Sequence, residues 1–410
     1  MTNLTINDPS GTWSLDFLTS GYFDNPTLVS QSSTHIVIGG SSGATMTLTG
    51  NFSSSSYYYW TVNSLSVSQY GTTRLSISWF DYYYYELDYI SDSSLLSGND
   101  NIDVNITIGQ NFSSYGGNDT LKFGTGNDTL DGGSGIDTLI ISDNFGNATA
   151  TSSYSTLLID SADGLDRISG IEILEFTNRT LAVTVGSSSS NSLQGNTISG
   201  VTHDLMLGGG GNDTLRGLSG NDVLIGEDGS DRLEGGAGLD QLNGGNGLDS
   251  LFGGDDSDIL SGHSGDDLLD GGRGQDKLIG GTGSDNMKGG NGNDRLIGGG
   301  GNDTMSGGTG SDTMNGGNGR DVLIGHKGDD LLTGGGRADT FVFHKGHGND
   351  TITDFTAGQD HIQIGRGASR LGQLDFEQQG DDVLVSFANV TILVEDITVA
   401  QLQDADNFLF

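Results

Sequence analysis

From Gly208 to Val342 the chain divides without a gap into fifteen blocks of nine residues. Every block begins with Gly, and the sixth residue is always Asp: Asp213, Asp222, Asp231, Asp240, Asp249, Asp258, Asp267, Asp276, Asp285, Asp294, Asp303, Asp312, Asp321, Asp330 and Asp339. The eighth residue is Leu except at Met287, Met305, Met314 and Phe341. The fourth is Gly in thirteen blocks, with Asp256 and Arg337 as the departures. A unit of nine residues is too short to bury a core of its own. The blocks must therefore stack, and each must present the same chemistry to its neighbours.

Six residues rich in Gly make a turn, since Gly tolerates positive φ and lets carbonyls point inward. The three that follow make a short strand whose middle residue, the eighth of the block, points to one side. Two blocks then form one flattened coil, with parallel strands stacked ~4.8 Å apart around a thin ladder of Leu and Met. Asp residues eighteen apart fall one above another along each edge. Bare carboxylates at that spacing repel. A hard divalent cation between successive turns removes the repulsion, and Ca²⁺, with about 6–8 oxygen ligands in flexible geometry, suits carboxylates plus turn carbonyls. Mg²⁺ prefers a tighter octahedron. Zn²⁺ is disfavoured in a chain with no Cys and 7 His. Simple solvated turns are the competing reading for Asp, but such turns exchange Asp with Asn and Ser, and the sixth position never varies.

A shorter copy lies upstream, with Asp119, Asp128 and Asp137 nine apart. Asp204 stands nine before Asp213, with Met206 in the apolar slot, as a degenerate block.

These repeats, with Gly289 to Ile297 (GGNGNDRLI) matching every fixed position, resemble the RTX (repeats-in-toxin, hemolysin-type) family. The resemblance implies an all-β fold: a calcium-binding parallel β-roll with a shorter second β-roll. It implies multiple Ca²⁺ ions, roughly a dozen or more, on the eighteen repeat Asp. The segment Gly348 to Ile364 is similar to the part that closes the roll in other RTX proteins. Family segments of this kind carry an uncleaved C-terminal signal for type I secretion, and the tail from Asp404 to Phe410 resembles it. The first twenty residues lack the basic start and apolar core of a secretory signal. The resemblance thus implies export by the type I secretion machinery to an extracellular or cell-surface location.

Composition agrees. The formal charge is −38, from 54 acidic and 16 basic residues, and Gly numbers 71, of which 42 lie in the fifteen blocks. Self-repulsion and glycine entropy oppose compaction without metal. Calcium binding is therefore expected to be coupled to folding. So acidic a chain has no basic face for nucleic acid. No apolar run is long enough for a transmembrane helix, and no long apolar helix suits membrane insertion.

Five segments are expected: an N-terminal Tyr-rich antiparallel β-domain, 1–110; the short RTX roll with a β-strand segment, 111–186; a Ser-rich linker, 187–199; the main roll, 200–342; and a β-rich cap with the secretion signal, 343–410. Period-two patterns at Thr45–Thr49, Leu65–Ser68 and Leu75–Trp79 read as strands. Nine of the 12 Tyr fall between Tyr57 and Tyr89, in runs such as Tyr57-Tyr58-Tyr59-Trp60. They read as a contact patch for a second copy or for sugar rings, against the plainer reading of β-propensity with one buried face.

No catalytic constellation is evident. An HExxH helix is missing, and Gly39 to Gly43 fits G-x-S-x-G only within a Gly/Ser turn. His263 and His326, at the second position of their blocks, are expected to face solvent. The chain reads as a non-enzyme: a secreted calcium-binding protein with a structural or self-assembling role in a surface layer, filament or matrix. The alternative is a calcium-dependent adhesin or glycan-binding module, and less favoured still is an accessory module of a polysaccharide-modifying enzyme.

Overall fold

The structure, a computed structural model, describes residues 112–410 apart from 115, 124–125, 154–155, 163 and 196–197, together with the backbones of the strands that precede them. The Tyr and Trp runs between residues 57 and 89 lie outside the described residues. The chain forms two compact units, Met1–Val183 and Thr184–Phe410. Among the described residues, no helix is long and apolar enough to cross a membrane.

In the first unit, Thr2–Asp8 and Gly11–Phe17 form a hairpin. Thr27–Ser32, His35–Gly39 and Thr45–Thr49 pair antiparallel in succession. Leu65–Gln69 and Thr73–Ser78 also pair antiparallel, but Leu65–Gln69 joins Thr45–Thr49 in parallel. The domain expected to be antiparallel is therefore mixed. Its strand Thr73–Ser78 runs parallel to Asp100–Asn105, which in turn pairs in parallel with Thr120–Phe123. The short roll thus draws a strand from upstream of residue 111. Its two layers are the strands at 100–105, 120–123, 138–141 and 173–176, and those at 111–113, 129–131 and 164–169. Leu121, Leu130, Leu139, Ile168 and Leu174 are buried in this unit.

The second unit is built on a parallel solenoid. Strands alternate between two sheets, so each pairs with the strand two blocks on: Leu215 faces Leu233, and Leu224 faces Leu242. Every eighth-position side chain from Leu215 to Phe341 is at most 2% exposed, and all belong to one continuous core. Each such burial stabilises by roughly 1.5–3 kcal/mol.

The strands are six residues long rather than three. Lys277–Thr282 is typical: Leu278 and Gly280 face inward, and Lys277 and Thr282 are exposed. Glycine carries little strand propensity, but stacking on identical neighbours supplies the ladder bonds. The second Gly of the block, such as Gly281 at φ 119°, then turns the chain. Non-Gly residues adopt this left-handed geometry at the second position, as in Glu227 and His263, and at the fourth, in Asp256 and Arg337.

Degenerate blocks extend the solenoid at both ends. Met206 pairs with Leu224 in the apolar slot, as expected for the Asp204 block. Within the Ser-rich stretch read as a linker, Ser192–Gln194 is a strand of the solenoid, and Leu193 faces Leu215. At the other end Ile352 faces Leu332, and Ile362 faces Phe341. The cap continues one sheet through Val390–Val394, which runs parallel to Asn349–Ile352, and then Asp382–Phe387 and Asp375–Gln379, each antiparallel to the strand before it. The tail ends as a strand, with Phe408 beside Ile362.

Candidate metal sites

All eighteen repeat Asp are buried, at most 3% exposed, which removes the solvated-turn reading. They form two ladders in the main roll. The amide of each Asp donates to Oδ1 of the Asp eighteen residues later: Asp213 to Asp231 at 2.7 Å, Asp231 to Asp249 at 2.8 Å and Asp285 to Asp303 at 2.8 Å. One ladder runs through Asp213, Asp231, Asp249, Asp267, Asp285, Asp303, Asp321 and Asp339. The other runs from Asp204 through Asp222, Asp240, Asp258, Asp276, Asp294, Asp312 and Asp330. In the short roll the amide of Asp119 donates to Asp137 Oδ1 at 2.7 Å. There Asp128 and Asp137 donate onward to carboxylates outside the repeat, Asp166 and Glu172.

Oδ1 is thus held by the neighbouring coil. Oδ2 is buried without a hydrogen-bond donor on Asp137, Asp213, Asp231, Asp249, Asp258, Asp267, Asp276, Asp285, Asp294, Asp303, Asp312, Asp321, Asp330 and Asp339. A buried anionic oxygen without a partner is costly. The first Gly of each block lines the same space. A Cβ on Gly208 would come 2.6 Å from Asp213 Oδ2 and 2.7 Å from the Gly226 carbonyl oxygen. On Gly253 it would strike Asp258 Oδ2 and come 2.6 Å from the Gly271 carbonyl oxygen. Each cradle therefore joins one carboxylate oxygen to backbone carbonyls of the coil above. Among the described residues, no three acidic or His side chains converge on one point. A cation here would take most of its ligands from the main chain. Hard oxygen donors on a Gly-lined backbone fit Ca²⁺.

The electrostatics point the same way. Burial, reinforced by neighbouring carboxylates, pushes Asp258 up to about 8. The same causes push Asp249 and Asp285 to about 7, as they do Asp312 and Asp339 and Asp137. The backbone amide on Oδ1 opposes the shift without cancelling it. Without a cation these side chains hold protons near neutral pH. A divalent ion would supply the missing positive charge.

The family model for the RTX calcium-binding nonapeptide repeat matches residues 112–139, 207–242, 243–278, 279–314 and 306–341. These segments are RTX-type calcium-binding repeats. Such repeats belong to a class that binds Ca²⁺ and is typically secreted and non-catalytic as a structural element. No curated protein matches the chain. Among solved structures it is similar to the extracellular lipase LipA from Serratia marcescens, at 16% identity and a TM-score of 0.21. That match covers 76% of this chain and 38% of the lipase, and carries nothing about activity.

Sequence reasoning missed the ligand-type residues beyond the strict phase. Asp350 and Asp360 take the next places on the two ladders, accepting from the amides of Asp330 at 3.1 Å and Asp339 at 2.9 Å. Asn191 holds the place before Asp213, to which its amide donates. The signal was the apolar slot two residues on: Leu193, Ile352 and Ile362. The RTX roll also corrects one histidine. His263 is exposed as expected, whereas His326 is half-buried with its ring 5.2 Å from that of His347. Asp255, outside the repeat slot, is ion-paired with Arg273 at 2.8 Å.

Proposed function

We propose that this chain is a secreted protein whose repeats calcium folds into stacked coils, and that it serves a structural, self-assembling role outside the cell. The observation that carries this reading is the pair of buried Asp ladders, in which the Oδ2 of every repeat Asp from Asp249 to Asp339 lacks a donor. A fold that buries this many carboxylates is uphill until cations enter, so cation concentration becomes its folding signal. The eighteen repeat Asp are proposed as ligands, together with the carbonyls of the Gly-lined cradles. Low cytosolic calcium leaves the chain unfolded for passage through the type I secretion machinery, and extracellular calcium folds it.

Calcium also favours assembly. It neutralises much of the −38 charge that keeps copies apart. The outer surface of the roll carries exposed Leu239, Leu248 and Ile259, at 55%, 60% and 45%, which suit contact with another copy. Electron microscopy of the purified chain in millimolar Ca²⁺, beside a chelated sample, tests this. Ordered sheets or filaments that vanish on chelation are expected. Dispersed single rods in calcium would sink the self-assembly reading, and the weight would move to adhesion.

A further inference from the structure

The two sheets of the main roll treat their cations differently. On each strand the seventh and ninth residues of the block point outward, on either side of the buried eighth. One sheet pairs its charges within itself. Arg216 and Arg232 both bind Glu234, Arg273 binds Asp255 at 2.8 Å, and Lys288 binds Asp270 at 2.9 Å. The other sheet runs from Val223–Asp228 through six more strands to Leu331–Gly336. Its cations are Lys277 and Arg295, side by side on adjacent strands. Both are exposed, and among the described residues neither side chain has an ion-pair partner.

Their surroundings offer none. The seventh and ninth places of these seven strands hold no acidic residue, in a chain with 54 of them. Glu227 and Asp228 end the first strand, three strands from Lys277. At ~4.8 Å per strand that exceeds the ~8 Å screening length at physiological ionic strength. Asp276 and Asp294, their neighbours in sequence, are buried in the ladder, where they accept from the amides of Asp258 and Asp276. Around the two cations stand Ile259, 45% exposed, and the partly buried Ile279 and Ile297. The seventh and ninth places carry no aromatic ring on which a sugar could stack. Branched aliphatic side chains around an unpaired cationic centre suit a protein surface that brings carboxylates.

The chain itself supplies such a surface. Its first unit, Met1–Val183, has 19 acidic residues against 4 basic. Asp131, Asp160 and Glu175 are exposed there. A two-fold contact of the basic face with itself is disfavoured. Lys277 and Arg295 lie on the fourth and fifth of the seven strands, so it would set them against their own counterparts.

We infer that this face of the roll docks the acidic first unit of a second copy, with Lys277 and Arg295 as its charged centre. This rests on the self-assembly reading and names the contact. The contact is head-to-tail, so copies add in series into a filament unless the rotation closes a ring.

Electron microscopy in millimolar Ca²⁺ compares the unaltered chain with a full-length variant carrying Lys277→Glu and Arg295→Glu. Circular dichroism confirms that calcium folds both. The variant is expected to lose its filaments, whereas Lys288→Gln, on the opposite sheet, keeps them. A minority of the reversed variant mixed into the unaltered chain is expected to shorten the filaments, because it keeps its acidic unit, docks, and then offers no face to the next copy. Filaments in the reversed variant, an equal loss in Lys288→Gln, or filaments of unchanged length in the mixture would overturn the docking face and leave self-assembly standing. Should the reversed variant not fold, Lys277→Gln with Arg295→Gln replaces it, with the same loss expected. An unaltered chain that stays dispersed in calcium would instead bring down the self-assembly reading, and this contact with it.

Discussion

The backbone amide of Asp240 donates to Oδ1 of Asp258 at 2.8 Å, while Oδ2 of Asp258 is buried without a donor. One oxygen of the carboxylate therefore orders the neighbouring coil, and the other faces a cradle that a cation would complete. Because this relationship recurs along both ladders, each coil's geometry depends on the charge state of the next. On the function proposed above, that is how a chain with few large side chains would couple its folding to an ion.

Acid should substitute in part for calcium. The ladder carboxyls have folded-state proton affinities raised by burial, to about 8 at Asp258, about 7 at Asp312 and about 6 at Asp231, from an ordinary value of 3.8. Raised groups contribute stability that is fully present below the unfolded value and is lost as pH rises through the folded one. In a chelator, circular dichroism should therefore show the metal-free roll gaining β-structure at about pH 4 and losing it between about pH 6 and 8. Added calcium should restore it at pH 8. A chelated chain with the same spectrum at both pH values would contradict the ladder electrostatics.

Two glycines separate the roles of the repeat positions. At Gly208, the first position, a Cβ would come 2.6 Å from Asp213 Oδ2 and fill the cradle. Gly300, at a third position, has open space and no positive φ. Gly208→Ala should lower calcium affinity and destabilise by about 1–3 kcal/mol through overpacking. Gly300→Ala should be neutral or stabilise by about 0.4–1 kcal/mol. Calcium titrations and thermal melts of both variants check this, and equal effects would mean that the cradle is not the binding feature.

Most of the solenoid was legible because its phase is unbroken. Asp at the sixth place and Leu at the eighth fixed the stacking and the interior ladder. Strand length was not legible, since a pair of glycines reads as turn until identical coils supply ladder partners on both sides. The ends were hidden by insertions: residues 195–198 separate the Asn191 block from the Asp204 block, and Phe343-His344 precede the Asp350 block. A shift of phase makes Lys345 and Phe355 look unrelated to the first-position Gly. Whether Oδ2 of Asp350 or of Asp360 has a donor depends on where the Thr356 amide falls, and no spacing rule contains that.

Interior and exterior leucines should respond very differently. Leu260 is fully buried in the ladder, whereas Leu248 is 60% exposed. Leu260→Ala opens a cavity between two sheets that share one thin core, with an expected loss of about 2–5 kcal/mol. Leu248→Ala should stay within about 0.5 kcal/mol. Melting curves in saturating calcium read both. A large effect at Leu248 under assembling conditions alone would place it at a contact between copies.

Charge removal at one rung should uncouple folding from calcium locally. In Asp258→Asn the amide oxygen still accepts from Asp240, so the ladder bond survives. The new amide group can donate to a carbonyl of the cradle, such as that of Gly271, which lies 2.6 Å from a Cβ built on Gly253. The buried charge that opposed the metal-free fold is gone, and so is one anionic ligand. The metal-free variant at pH 8 should therefore be more structured than the unaltered chain. Its affinity at that cradle should fall by about tenfold, the equivalent of about 1.4 kcal/mol for a lost charge-assisted contact. Chelator-buffered calcium titrations followed by circular dichroism measure both ends of the curve. If the metal-free form gained nothing, buried carboxylate charge would not be what holds the roll open, and the ladders would have to be read as ordinary hydrogen-bonded stacks.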